Sequence, residues 1–559
     1  MAQSYDAVVI GSGINGMVAA AELATAGWTV ALVERNPRIG GFIATEERTE
    51  PGYLHDTYSS WLPQFVSSGA YAALGAALRE CGLEFANTED ELCATVTDDG
   101  EVSLAYRSVR RTAAGLGCRE DGRAYRRHLQ WVEENGAAIG ALMAGELRSM
   151  SAVRTALSLL WSNGVDGSEQ RLRDLVTSGR SWCRREFLGT DVDRLWVPWL
   201  LHAGLSPDHA SGGLLLPVFA GHLHAVGMPV VVGGSGRLVD AFEELLQSLG
   251  VDVMLGTTVD GVVLADGRAT GVDCGGDAIA AETAVLASVT PTALYGSLLP
   301  PGSVDRQIAV EAQRFRYGRA AVQVHVALDA PLRWHDERLS RTPVVHLSDG
   351  SASTGIACAE AEAGLLPTSP TVVVGQQHVL DASRVPEGAG ALWVQLLEMP
   401  WEPRGDARGE LDVSAGWNRT LAYGVATRAL DRLAPHVDRL RESVRAVDVL
   451  SPVDLARYNV NAVAGDPYGG DAQLDQAFLW RPLPASSGHE TAVPNLWHIG
   501  SSTHPGAGLG GASGHLAAQR LLASPGTAGR ARLAASRRAL HVVRPSLRTA
   551  RAGTGHPQR

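Results

Sequence analysis

A chain of 559 residues, 45% hydrophobic and 19% charged, can build more than one core and has the profile of an ordinary water-soluble protein. Its formal charge of −12 is modest, and no basic stripe runs over the body, so nucleic acid is not an expected partner. Six cysteines without CxxC spacing argue against a zinc site or a dithiol centre, and the sequence contains no lysine, so all 48 Lys or Arg residues are arginines.

The first element is a four-residue apolar run, Ala7 to Ile10, leading into Gly11-Ser12-Gly13-Ile14-Asn15-Gly16 and a helical pattern from Met17 to Ala26. A second apolar run, Val30 to Val33, ends at Glu34. Strand, glycine turn, helix and strand with a terminal acid make a dinucleotide-binding unit. Gly11 permits the turn, Gly13 lets the backbone approach a pyrophosphate, and Gly16 lets helix and strand pack. Glu34 suits a free ribose 2′-hydroxyl and would repel a 2′-phosphate. No basic leader or cleavage site precedes the first strand, and no apolar run reaches the ~18 residues of a spanning helix, so a cytoplasmic location is expected.

Beyond Glu34 come Arg35, Arg38 and a Gly40-Gly41 pair, then a polar segment with His55, Asp56 and Tyr58, most simply read as a hydrogen-bonded turn. From about residue 66 to 216, helical periodicity dominates, broken by a hairpin from Cys93 to Tyr106 around Asp98-Asp99-Gly100. Trp161, Trp182, Trp196 and Trp199 are expected in an apolar tunnel wall or in the core. His202, His209, His222 and His224 match no zinc spacing, so no metal is expected; His222 and His224 read as two rings on one face of a strand.

Met228 to Leu238 leads into a second helix, followed by a strand-like Val251 to Val259 and a hairpin at Asp266-Gly267. Ala284 to Ser288 reads as a strand closing this piece. Strands at Ala320 to Leu328 and Ala391 to Met399 and a helix at Val425 to Leu433 follow. The last folded stretch runs Trp497-His498-Ile499-Gly500-Ser501-Ser502-Thr503-His504-Pro505-Gly506, a short strand and its exit, and then Gly510-Gly511-Ala512 at the start of a helix. After Pro525, eight arginines and no acid occur, so the net −12 leaves −20 on the rest of the chain. That tail reads as solvated and disordered, or as a basic amphipathic segment for an anionic membrane surface.

Two of these motifs carry a family resemblance. Arg38-Ile39-Gly40-Gly41 looks like the Gly-Gly extension of glutathione-reductase-type flavoproteins, and Asn495 to Gly514 resembles the closing signature of phytoene desaturases and phytoene-dehydrogenase-like proteins. The intervening Asp466-Pro467-Tyr468-Gly469-Gly470-Asp471 and Arg481-Pro482 are similar to the family's approach to the flavin. The resemblance spans roughly residues 4 to 525. It departs from the wider superfamily at Phe42, where an arginine is common, and at Ser501, where amine oxidases carry an acid.

The resemblance implies an α/β fold: a glutathione-reductase-type, Rossmann-like FAD domain built from residues 1–65, 221–289 and 456–525. A mixed α+β substrate domain would comprise 66–220 and 290–455, with 526–559 as the tail. FAD would be held by Gly11, Gly13, Ile14, Asn15, Gly16, Glu34, Gly40, Gly41, a backbone contact at Val259, and Gly500, Ser501, Pro505, Gly506, Gly511 and Ala512. Arg35 or Arg38 would neutralise the pyrophosphate in place of the missing arginine. His504 would lie beside the ring as proton acceptor or as packing.

The implied reaction is dehydrogenation of a C–C bond in an apolar polyene, isoprenoid or acyl chain by hydride transfer to flavin. Redox-neutral isomerisation or saturation, amine oxidation without the usual lysine-held water, and a flavin-binding scaffold without turnover are the alternatives. The expected partner is an apolar small molecule; substrate, electron acceptor and oligomeric state are not legible.

Overall fold

The computed structural model describes residues 4–523, organised around two seven-stranded sheets. In the first, Ser4–Ile10 lies between Val30–Val33 and Asp277–Ser288, parallel to both, with Ala7 opposite Val30 on one side and Ala284 on the other. Asp252–Met254 extends the sheet beyond Val30–Val33, and Leu496–Ile499 pairs in parallel with Val285 to Ser288. These strands are apolar on both faces, as a sheet covered on both sides requires: Val8, Val9, Leu32, Val285 and Leu286 are all buried. The helices Ile14–Thr25, Gly236–Ser248 and Ala512–Ala523 pack on one face through Met17, Val18, Leu238, Phe242, Ala517 and Ala518.

The second sheet runs Val444–Leu450, Ala320–Leu328, Gly390–Met399, Val372–Gly375, Val344–Leu347, Glu91–Val96, Val102–Tyr106, antiparallel except where Val344–Leu347 meets Glu91–Val96. Its last two strands are the hairpin expected inside the helical region, so that region contributes an edge to the sheet as well as a cap of helices. One face is covered by the helix Arg419–Leu433, which buries Leu421, Val425, Ala429 and Leu433. The other packs against Trp196, Trp199 and Leu200 of the helical cap.

Two expectations need correction. His222 and His224 lie on a helix, Gly212–Val226, not a strand. Two residues of helix turn the side chains about 200° apart, so the rings do not share a face. The polar–apolar alternation there mimics a strand, and Pro217 inside the segment disguises the helix. Trp161 neither packs in a core nor lines a tunnel; it is 91% exposed, whereas Trp182, Trp196 and Trp199 are buried.

Glu398 is fully buried on Gly390–Met399, with one carboxylate oxygen accepting from the Thr371 amide at 3.3 Å. Burial pushes its pKa up to about 7, against the opposing pull of Thr371 and Arg319. Because the folded chain holds this proton more tightly than the unfolded one, stability is fully present below the ordinary carboxylate value of 4.5 and is lost as pH rises to about 7. At ~1.4 kcal/mol per pH unit the loss is about 3 kcal/mol. Glu398→Gln should abolish it: urea midpoints at pH 5 and pH 8 should converge in the variant and diverge in the native protein. Equal pH slopes would refute the assignment.

Candidate active site

The strand Ser4–Ile10 ends at Gly11, which bends the chain with φ +87°. A Cβ on Gly16 would stand 1.9 Å from the Gly11 carbonyl oxygen, so the helix Ile14–Thr25 can begin only where a hydrogen replaces a side chain. Gly13 differs: a Cβ there would meet nothing within 4 Å, so its free backbone faces open space at a helix N-terminus. Gly41 arches over the turn, its Cβ direction 3.2 Å from the Gly13 Cα. The Gly40 amide donates to the Ser12 carbonyl at 3.0 Å and fixes that approach.

Glu34 is buried at the end of Val30–Val33. One carboxylate oxygen accepts from the Ser12 amide at 2.9 Å and hydroxyl at 2.7 Å; the other accepts from the Asn36 amide at 2.8 Å, leaving it a further lone pair. The Thr257 amide donates to the Glu34 carbonyl at 2.9 Å, which brings the turn carrying half-buried Val259 alongside the acid.

The closing motif is knitted to this turn from the far end of the chain. The Ser513 hydroxyl accepts from the Gly500 amide at 3.0 Å and lies 2.7 Å from the Thr503 hydroxyl, fixing Gly500 to Thr503 over the start of the helix Ala512–Ala523. Gly514 presses on Asn15 so closely that a Cβ would fall 2.0 Å from the Asn15 carbonyl oxygen. The Asn15 side chain accepts from the Gly514 amide at 3.2 Å. Two helix N-termini thereby meet at one place, a positive region for an anionic ligand. Pro505 and Gly506, half-buried, lead away from it past Arg481, whose Nε is 3.7 Å from the Cβ direction of Gly506.

The arginines are arranged differently from the sequence expectation. Arg35 is exposed, and Arg38 pairs with Glu46 at 3.1 Å and stacks on Tyr458 at 4.8 Å. Arg481 is the buried cation beside the closing motif. Its guanidinium donates to the carbonyls of Ser501 at 2.8 Å and Tyr468 at 3.2 Å, while its Nε has no partner. Burial lowers its pKa, with Asp466 and Asp471 opposing the shift. Asp466 in turn holds the Asp466–Asp471 loop by accepting from the amides of Gly318, Tyr468 and Gly470 at 2.9, 2.7 and 2.7 Å. The resemblance puts Arg481-Pro482 and Asp466 to Asp471 at the approach to the flavin, without giving Arg481 the part of the buried cation.

His504 is buried, with Nε2 3.2 Å from the Leu142 carbonyl, and its own carbonyl accepts from the His489 ring at 3.0 Å. Burial lowers its pKa to about 4, with the Leu142 carbonyl acting in the opposite sense, so the ring is neutral and a weak base near pH 7. The other histidines are scattered: His202 meets His346 at 3.0 Å, His224 meets the Tyr125 hydroxyl at 2.7 Å, and His209 lies 3.6 Å from Glu362. Among the described residues no three potential ligands converge on a metal position.

This site fits FAD: an open glycine backbone for the pyrophosphate, a buried acceptor for the ribose at Glu34, converging helix N-termini, and a buried guanidinium with an unpaired Nε. The chain is 26% identical to pyridine nucleotide-disulfide oxidoreductase domain-containing protein 2 of Rattus norvegicus, the alignment covering 92% of each. It is 25% identical to the zeta-carotene-forming phytoene desaturase of Myxococcus xanthus over 90% of each chain. An oxidoreductase structure from Methanosarcina mazei shares the fold, with a TM-score of 0.58 at 14% identity over 92% of this chain and 99% of that one. The family model for flavin-containing amine oxidoreductases matches residues 14–522. The chain therefore belongs to that family, which includes the carotenoid desaturases, and is an oxidoreductase whose cofactor is FAD.

Proposed function

We propose that the protein dehydrogenates a C–C bond in a long apolar chain of isoprenoid, polyene or acyl type. FAD, when bound, supplies the two-electron acceptor. The observation that carries the reading is the apolar layer between the second sheet and the helical cap. Phe42, Tyr58, Trp61, Met143, Tyr458, Tyr468 and Phe478 join one apolar cluster with Trp196 and Trp199. The histidines beside it are held neutral, with burial lowering His202 to about 4 and His346 well below its ordinary value. Such a wall orients an apolar chain and excludes water, which is most of what the protein must do when the cofactor carries the chemistry. Similarity to a phytoene desaturase supports the same class of substrate.

The test is anaerobic mixing of the flavoprotein with isoprenoid chains, acyl chains and simple amines, following loss of flavin absorbance. Bleaching by an apolar chain is expected; rapid bleaching by amines alone would overturn the proposal. In the same assay His504→Ala should retain FAD and slow reduction by less than about tenfold, because a neutral ring donating to Leu142 packs and orients. A loss of ~10²-fold or more would instead make His504 the proton acceptor.

A further inference from the structure

The buried carboxyl of Glu398 has two unlike ends. Oε1 accepts from the Thr371 amide at 3.3 Å, and the Thr371 hydroxyl favours the ionised group as well, whereas Oε2 is buried without a hydrogen-bond partner. Behind Thr371 runs a row of hydroxyls. Thr371 Oγ1 lies 2.8 Å from Thr354 Oγ1, Thr354 Oγ1 lies 2.9 Å from Ser348 Oγ, and Ser348 Oγ lies 3.3 Å from Ser353 Oγ. Thr371, Thr354 and Ser348 are buried, while Ser353, in the first turn of the helix Ser351–Glu362, is half-exposed. The row therefore runs from the core of the second sheet to solvent.

The other neighbours of Glu398 tie it to the candidate active site. Arg319 and Arg432 act on it electrostatically, and it acts in turn on Cys358 and Tyr468. Arg319 donates to Glu362 at 2.7 Å and to the Gly204 carbonyl at 3.2 Å, and its buried Nε has no partner. A Cβ on Gly204 would stand 3.2 Å from the Tyr468 ring. Tyr468 packs in the apolar layer, and its carbonyl accepts from Arg481, which also holds Ser501 of the closing motif. Polar groups are costly in such a core unless they bond to one another, and here they do so in single file. A hydroxyl or a carboxyl can accept a proton on one lone pair while giving up its own. Burial brings the Glu398 pKa up to about 7, so its two protonation states interchange at little cost near neutral pH.

We propose that Glu398, Thr371, Thr354 and Ser348 form a proton conduit between the flavin site and solvent at Ser353. A layer that excludes water creates the need for one, because oxidation of a substrate by FAD frees a proton and reoxidation of the reduced flavin frees another. Glu398 takes the proton on Oε2 and yields one from Oε1 to Thr371. The Thr371 proton passes to Thr354, that of Thr354 to Ser348, that of Ser348 to Ser353, and that of Ser353 to water. Each O–H bond broken is matched by one formed, and no electrons move along the row. The inference rests on FAD-dependent oxidation and not on which bond is dehydrogenated, so its test uses no substrate.

Photoreduced flavoprotein is mixed anaerobically, in weak buffer, with ferricenium, which takes the electrons and frees the proton at the flavin. Flavin absorbance follows the electrons, and phenol red in the solvent follows the proton. In the native protein the dye should respond as the flavin reoxidises. Thr354→Val keeps the shape and removes the hydroxyl; it should slow proton release by about tenfold or more with FAD content and circular dichroism unchanged. Thr354→Ser should restore the native rate, and Glu398→Gln should behave as Thr354→Val does. Hydroxyls that only pin the helix Ser351–Glu362 to the sheet would give Thr354→Val a lower stability and a native rate of proton release, which would overturn the proposal. Should Thr354→Val lose its flavin, the unaltered protein decides. Its release rate in mixtures of H2O and D2O should fall along a curve, because several protons move together; a straight line would overturn the conduit.

Discussion

Glu34→Arg should yield a folded but colourless protein. The native carboxylate is buried, gathers the Ser12 and Asn36 amides, and keeps a further acceptor position with which it would hold the ribose. Arginine has no acceptor and would set a cation against those donors, removing the ribose contact and disordering the turn that presents Gly13. Loss of a hydrogen-bonded charged acceptor together with a buried unpaired cation amounts to about 3–5 kcal/mol, or ~10²-fold or more in FAD affinity. The absorbance ratio at flavin and protein maxima, with circular dichroism as the folding control, reads the outcome. A variant that purifies with full flavin would remove Glu34 from the site.

Arg384→Met should be the most damaging single change to stability. The guanidinium is 2% exposed and donates to Asp56 at 2.6 Å, Asp381 at 3.1 Å and the Val231 carbonyl at 2.6 Å. Asp56 also accepts from the Ser235 amide at 2.6 Å, and Asp381 from the Gly233 amide at 2.7 Å. One buried cation thus ties together residues near 56, 233 and 384, which belong to both halves of the molecule. Burial alone would raise the Asp56 pKa, but Arg384 and the hydrogen bonds outweigh it and hold it below the ordinary value. Ionised Asp56 therefore contributes stability above the ordinary carboxylate range, lost as pH falls through its depressed value.

Without Arg384 the sign reverses: two carboxylates are buried without their cation, and stability should fall as pH rises above about 4. The expected cost near pH 7 is about 3–5 kcal/mol, smaller in acid, and partly restored by Asp56→Asn. A urea-midpoint shift equivalent to less than ~1 kcal/mol at pH 7 would show that the clamp is dispensable.

Local pattern and long-range pairing differ in how far they can be read from sequence. The turn Gly11 to Gly16 and the acid at Glu34 were legible because strand, turn, helix and strand follow one another, so period and spacing carry the geometry. The strand Ala320–Leu328 and the helix ending at Leu433 were legible for the same reason. Arg384 and Asp56 are 328 residues apart, and nothing local marks either as the other's partner. The resemblance located Arg481 near the flavin approach but not its contacts: its neighbours Tyr468 and Ser501 are brought to it only by the folded loops. Trp161 failed for a different reason. A tryptophan at helical spacing predicts burial, and whether another element covers it is decided by packing that no periodicity encodes. The tail after Pro525 lies outside the described residues.

Gly514 against Asn15, and Leu496–Ile499 beside Val285 to Ser288, have a consequence for biosynthesis. The strand that completes the first sheet and the helix that covers its opening turn are the last described elements to leave the ribosome. Until they emerge, the edge of Asp277–Ser288 is unpaired and one face of Ile14–Thr25 is bare. Contacts of such sequence separation form late and slowly, and exposed strand edges invite aggregation in the interval. A chain ending before Asn495 lacks both the strand and the helix and should therefore retain no flavin.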